Sequence, residues 1–174
     1  DALELNTTGC QNTALGQNVM YTNVSGDFNT AVGREALYSN TTADSNTALG
    51  YSAMKLNTTG GNNVALGYAA LDSNTTGGAN VSIGFGSLED NTTGVENTIM
   101  GSNAGDALTS GSYNVAIGMH ALGGEDAHGR NVAIGNEALR AQNAGADAYN
   151  VAVGYYAGTA VSTGTYNVLI GGLA

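Results

Sequence analysis

Apolar and polar positions along this chain recur with a fixed period. A five-residue block, Asn-[Thr/Val]-x-[Leu/Val/Ile/Met]-Gly, begins at Asn12, Asn29, Asn46, Asn63, Asn80, Asn97, Asn114, Asn131, Asn150 and Asn167. Successive blocks lie 17 residues apart, except that 19 separate Asn131 from Asn150. We number the unit from its Asn, so the block fills positions 1 to 5. Position 2 is always β-branched and position 4 is always large and apolar, with Asn, mostly Ala, and Gly between them. Alternation with β-branched enrichment predicts a short strand. The Gly and Asn residues at fixed offsets then turn the chain, because both tolerate positive φ. A unit of 17 residues is too short for a helical hairpin. One strand and its turns per period, stacked in register, predicts an all-β parallel β-solenoid of about ten coils, roughly 48 Å long at the usual strand spacing. Residues 1–174 read as a single repeat domain, and the two extra residues are expected in a lengthened turn near Ala141 to Asp147.

Size assigns the faces at this level. Positions 2 and 4 (Val64 and Leu66, Val115 and Ile117, Val132 and Ile134) are expected to fill the coil interior. Position 9 (Leu37, Met54, Leu71, Leu88, Leu122, Leu139) is expected to join them. Where position 9 is Gly105 or Gly158, position 12 becomes Leu108 or Val161, as a packed interior requires. Position 3 then points outward as a stripe of Ala14, Ala31, Ala48, Ala65, Ala116, Ala133 and Ala152. So small a side chain on an outward face implies a close approach by another backbone, which three thin coils sharing one core would supply.

The phrase N-V-A-I-G at Asn114 to Gly118 and again at Asn131 to Gly135 resembles the repeat of YadA-like head domains in trimeric autotransporter adhesins. The longer phrase at Asn46 to Asn62 resembles repeats of bacteriophage tail-fibre proteins. The resemblance runs along essentially the whole chain. It implies a left-handed β-roll in each subunit and a homotrimer about a central axis, with the Ala face inward. The 17-residue unit is longer than the adhesin repeat, and the extra length sits in the N-T-T-G turn, which favours the fibre. The expected function is therefore a structural, adhesive segment of a phage tail fibre, extracellular on the virion, touching a host glycan or protein receptor. The alternative is an adhesin head on a bacterial outer surface. A depolymerase with a groove between subunits, or an ice-binding solenoid, ranks below both.

Composition narrows the field further. Four Lys+Arg against 14 Asp+Glu give a net charge of −10, which repels nucleic acid and anionic membrane alike. An apolar fraction of 42% with only 10% charged residues does not fit a disordered coil. No apolar run approaches the ~18 residues of a membrane span, so no membrane insertion is expected. The lone Cys10 excludes an intrachain disulfide and a multi-cysteine zinc site. No enzymatic activity, cofactor or metal is expected. His120 and His128 with Glu125 and Asp126 read as a polar turn, and Glu89, Asp90 and Glu96 as surface charge.

Three periodic features remain candidates for contact. Tyr51, Tyr68 and Phe85 share position 6 in consecutive coils, an aromatic ladder able to hold sugar rings or to stack on itself. Asn6, Asn23, Asn40, Asn57, Asn74 and Asn91 each begin Asn-x-Ser/Thr, which makes them either N-glycan acceptors or a turn-capping ladder. Thr pairs such as Thr58-Thr59 and Thr75-Thr76 occupy a turn, where an ice-binding lattice is not expected. Finally, Asp1 falls at position 7 and Ala174 at position 8, and neither end carries an atypical polar coil. The chain is therefore expected to be an internal stretch of a longer fibre.

Overall fold

A computed structural model describes residues 1–125 and 127–174. Ten three-residue strands follow one another: β1 (Thr13–Leu15), β2 (Thr30–Val32), β3 (Thr47–Leu49), β4 (Val64–Leu66), β5 (Val81–Ile83), β6 (Thr98–Met100), β7 (Val115–Ile117), β8 (Val132–Ile134), β9 (Val151–Val153) and β10 (Val168–Ile170). They occupy positions 2 to 4 of every unit and form one parallel sheet in strict sequence order. Each position pairs with its own counterpart in the next coil, as in Val64↔Val81, Ala65↔Ser82 and Leu66↔Ile83. The fold is a parallel β-solenoid of 17-residue coils. No helix among the described residues is long and apolar enough to cross a membrane.

Inter-coil hydrogen bonding continues well beyond the strands. The position 9 amide of Leu37 donates to Ala53 O of the next coil at 3.0 Å, and the position 7 amide of Glu35 donates back to Gln17 O at 2.9 Å. The chain turns so sharply because positions 7, 9 and 17 adopt left-handed φ near 55°, as at Ser52, Met54 and Asn62. None of these left-handed residues is Val, Ile or Thr, since a second branch on Cβ makes that conformation a steric outlier. This explains why the buried position 9 uses Leu, Met or Gly and never Ile or Val. Gly at position 5 serves a tighter need. At Gly84, with φ +136, a Cβ would sit 2.5 Å from Gly101 O and 2.7 Å from Gly101 C.

The expected assignment of faces is inverted. Ala31, Ala48, Ala65, Ala116, Ala133 and Ala152 are fully buried inside the coil, and Ala14 is packed against the same core. The cavity beside each strand is narrow, because position 8 (Ala36, Ala53, Ala70) and the long side chain at position 9 already occupy it. Only a methyl group fits opposite them. Positions 2 and 4 therefore point outward. The compensation at glycine follows the same geometry, with one addition that sequence reasoning missed. A Cβ on Gly105 would lie 3.0 Å from Leu108 Cδ1 and 3.4 Å from Ile99, so position 12 and position 3 together fill the space. Leu169 and Val161 do the same around Gly158. Where position 3 becomes Ser82, position 8 becomes Ser87, and the two buried hydroxyls hydrogen-bond at 2.6 Å.

The two inserted residues sit in a narrower stretch than expected. Asn143 N–H donates to Ser162 O and Ala148 N–H to Gly129 O, which restores register on either side of residues 144–147. Gly145 within that bulge, at φ +70, has open space around its Cα.

Candidate interaction surface

Two amide ladders hold the turn that closes each of the five coils between Asn12 and Gly94. At position 1, Asn29 accepts the Asn46 backbone N–H on its Oδ1 at 2.9 Å and donates through Nδ2 to Ala43 O at 2.8 Å. At position 12, Asn40 donates to the same Ala43 O at 3.1 Å and to Asn23 Oδ1 at 2.8 Å. Both side chains of a coil thus converge on one turn carbonyl, and every amide is passed on to the next coil. Asn23, Asn40, Asn57, Asn74 and Asn91 are fully buried in this ladder and Asn6 is half-buried. The glycan-acceptor pattern thereby has a structural cause, since a folded coil leaves those buried side chains inaccessible. The ladder stops where Leu108 replaces Asn, and Asn91 Oδ1 is left without a donor. Beyond it, position 12 carries the buried Glu125 and Gln142 on successive coils, whose Oε2 and Nε2 have no partner. Threonine hydroxyls in the turn are engaged as well: Thr58 Oγ1 donates to Thr75 O and Thr75 Oγ1 to Thr92 O, both at 2.9 Å.

The charged groups do not converge. His120 and His128 occupy different columns; His128 Nδ1 lies 3.5 Å from Glu125 Oε1, and Asp126 is outside the described residues. Glu89 faces neither Asp90 nor Glu96 across a cation. It belongs to a position 10 column with Lys55, Asp72 and Asp106. Burial pushes the carboxyls of Asp72, Glu89 and Asp106 above their usual range, with neighbouring carboxylates adding to the effect at Asp72 and Glu89. Lys55 Nζ instead pairs with Glu35 at 2.8 Å, holding that carboxyl below its usual range. Among the described residues no group of three or more His, Cys, Asp or Glu could hold a metal ion, and no pocket opens.

What the surface does present is an apolar sheet face. Positions 2 and 4 project from all ten strands, and Leu15, Leu49, Leu66 and Ile117 are 37% to 67% exposed. Aromatic columns flank this sheet on both sides. Tyr51, Tyr68 and Phe85 stack at centroid spacings of 5.2 and 5.0 Å, within 9° of parallel. Their faces cover one another, so only ring edges and the ends of the stack are open to a sugar. On the other side, at position 17, Arg130 lies between Tyr113 and Tyr149, 4.8 and 5.7 Å from the ring centroids. Tyr149 in turn stacks on Tyr166 at 5.1 Å, and Arg130 Nε bonds Asp147 at 2.8 Å. With ten strands at ~4.8 Å spacing and three residues across, the sheet face covers on the order of 500 Å², and the flanking columns at positions 17 and 6 widen it to about 1,000 Å². A soluble monomer rarely exposes an apolar patch above a few hundred Å², whereas a stable partner covers about 800 Å² on each side.

No protein-family model, no curated protein and no solved structure matches the chain.

Proposed function

We propose that this chain is a structural, adhesive segment of a phage tail fibre, and that it builds the shaft by packing its sheet face against copies of itself as a homotrimer. The observation that carries this reading is the outward face at positions 2 and 4, where position 4 is Leu, Val, Ile or Met in all ten strands and position 2 is Val in six and Thr in four. An interior already filled from positions 3, 8 and 9 has no use for those side chains, and leaving them in water over the whole face is costly. The resemblance of the N-T-T-G turns to tail-fibre repeats supports the fibre over an adhesin head. In this reading the trimer axis is lined by positions 2 and 4, because the stripe from Ala14 to Ala152 lies within each coil. Host attachment then falls to the turns on the far side of the coil, around positions 10 to 14, where the acidic column and the bulge at residues 144–147 lie. Charges placed on the sheet face test the self-association. Leu66→Lys with Ile83→Lys is expected to reduce the sedimentation mass to one chain while the β-type circular dichroism spectrum persists. An unchanged multimer would overturn this use of the face.

A further inference from the structure

Six of the nine tyrosines stand in three pairs, each pair in one column and one coil apart. Tyr21 and Tyr38 share position 10, with ring centroids 5.3 Å apart and planes within 6° of parallel. Tyr51 and Tyr68 stack in the same way at position 6, and Tyr149 and Tyr166 at position 17. The backbone imposes this spacing, because coils hydrogen-bonded in register lie ~4.8 Å apart. Thr22 fixes it at the first pair, donating to Tyr38 O through its N–H at 3.1 Å and its hydroxyl at 3.0 Å. The other three tyrosines are placed differently. Tyr113 faces Arg130, and Tyr155 and Tyr156 are adjacent in sequence and tilted by 54°.

Two phenols held this way are the reactants of an oxidative coupling. We infer that Tyr21 and Tyr38 are a site of dityrosine formation, a covalent modification that staples two coils, and that Tyr51–Tyr68 and Tyr149–Tyr166 are further sites of the same kind. The co-reactant is a one-electron oxidant of the peroxidase class with hydrogen peroxide. Each phenol gives up one electron and one proton and becomes a phenoxyl radical. The two radicals form a carbon–carbon bond between their ortho positions, and the ortho hydrogens move to the oxygens as the rings regain aromaticity. The chain loses two hydrogens, and one peroxide is reduced to two waters. Parallel stacking sets the ortho edges of both rings side by side, and the broad χ2 torsion of Tyr lets them tilt to bond. Tyr21 has a further aid, since its hydroxyl donates to Glu4 Oε1 at 3.2 Å. That carboxylate raises the phenol above its ordinary value, so the resting group keeps its proton. It is also placed to accept the proton when the electron leaves. Position 10 lies away from the sheet face, so this pair stays open whether or not copies cover that face. The lone Cys10 allows no disulfide within the chain, and a bond between residues 17 apart restrains the unfolded state as a disulfide of that span does.

Trypsin reads the first site directly, because cleavage at Arg34 and Lys55 puts Tyr21 and Tyr38 in separate peptides, 1–34 and 35–55. After a haem peroxidase and hydrogen peroxide act on the folded protein, mass spectrometry is expected to find these peptides joined, two hydrogens lighter than their sum. The oxidised chain should still run at single-chain mass in denaturing electrophoresis. Tyr38→Phe keeps the stacked ring without the phenol and should abolish this link, with the circular dichroism spectrum unchanged. Glu4→Gln should lower its yield several-fold while the link between Tyr51 and Tyr68 forms as before; an equal yield would remove the role of Glu4. Absence of the 1–34 to 35–55 link from the folded protein would overturn the site. So would a link that persists in Tyr38→Phe, or one that forms equally well in concentrated urea. Links to Tyr113 at the same yield refute selection by stacking. The coupled protein is expected to melt several degrees above the untreated one, and an unchanged midpoint refutes the staple. These readouts follow bonds within one chain, so they stand or fall separately from self-association.

Discussion

A single torsional requirement selects the residue at the centre of each coil. Leu71 is buried, apolar and left-handed at φ 56°, and that combination excludes β-branching. Leu71→Ile keeps the volume but places a branched Cβ in that conformation. It is expected to cost about 1–3 kcal/mol beyond the repacking term, whereas Leu71→Met, the residue used by the coil before it at Met54, should cost under about 1.5 kcal/mol. Urea midpoints of the two variants check this, and equal midpoints would remove the torsional explanation. The sequence did contain this rule. The absence of Val, Ile and Thr from positions 7, 9 and 17 is visible in every unit that reaches them, and it marks left-handed backbone without any coordinates. What size alone could not show is which side of the strand is inside. Size places the large residues inside, but the coil is so narrow that the strand contributes mostly a methyl group there. Ile99 was the available clue: the coil that loses its plug at Gly105 gains bulk at position 3, so positions 3 and 9 share one interior.

Strands of three residues cannot stabilise a sheet by themselves, and the elements here are as much the side-chain ladders as the strands. Asn74 donates to Gly77 O at 3.0 Å and to Asn57 Oδ1 at 2.7 Å, and it accepts from Asn91 Nδ2 at 2.9 Å. Asn74→Ala deletes one rung and strands the buried Asn57 Oδ1, while Gly77 O keeps its bond from Asn63 Nδ2, for a cost of about 1–3 kcal/mol. Asn91→Ala should cost less, because its Oδ1 already lacks a donor where Leu108 follows. Thermal denaturation of the two variants distinguishes them, and a smaller loss at Asn74 would contradict the ladder. The period, the strand positions and the parallel stacking were legible because each depends on local residue type at fixed spacing. The convergence of two Asn side chains on one carbonyl was not, since it joins positions 1, 12 and 15 through the closed coil.

Stacking identical coils also stacks like charges, which gives the whole rod a pH dependence. The Glu89 carboxyl is raised by burial and by Asp90 and Asp106 beside it. A raised folded value means that the native state binds the proton more tightly than the unfolded chain does. The resulting penalty is fully present above the folded value and is relieved as pH falls towards the unfolded value near ~4.3. Glu89→Gln is thus expected to be more stable than the parent at pH 7, with the difference vanishing near ~pH 4. A constant difference across that range would contradict the assignment. Glu35 and Glu137, held low by hydrogen bonds to Lys55 and Arg140, act in the opposite sense and lose their contribution as pH falls.

At this scale the central claim is that the columns at positions 2 and 4 form a surface meant to be covered by other copies. The 17.4 kDa mass of one chain makes the assembly easy to count. Multi-angle light scattering on the purified protein at micromolar concentration is expected to give about three times that mass, held constant on dilution as an extensive apolar interface requires. A monodisperse species at 17.4 kDa, with the sheet face left in water, would contradict the account.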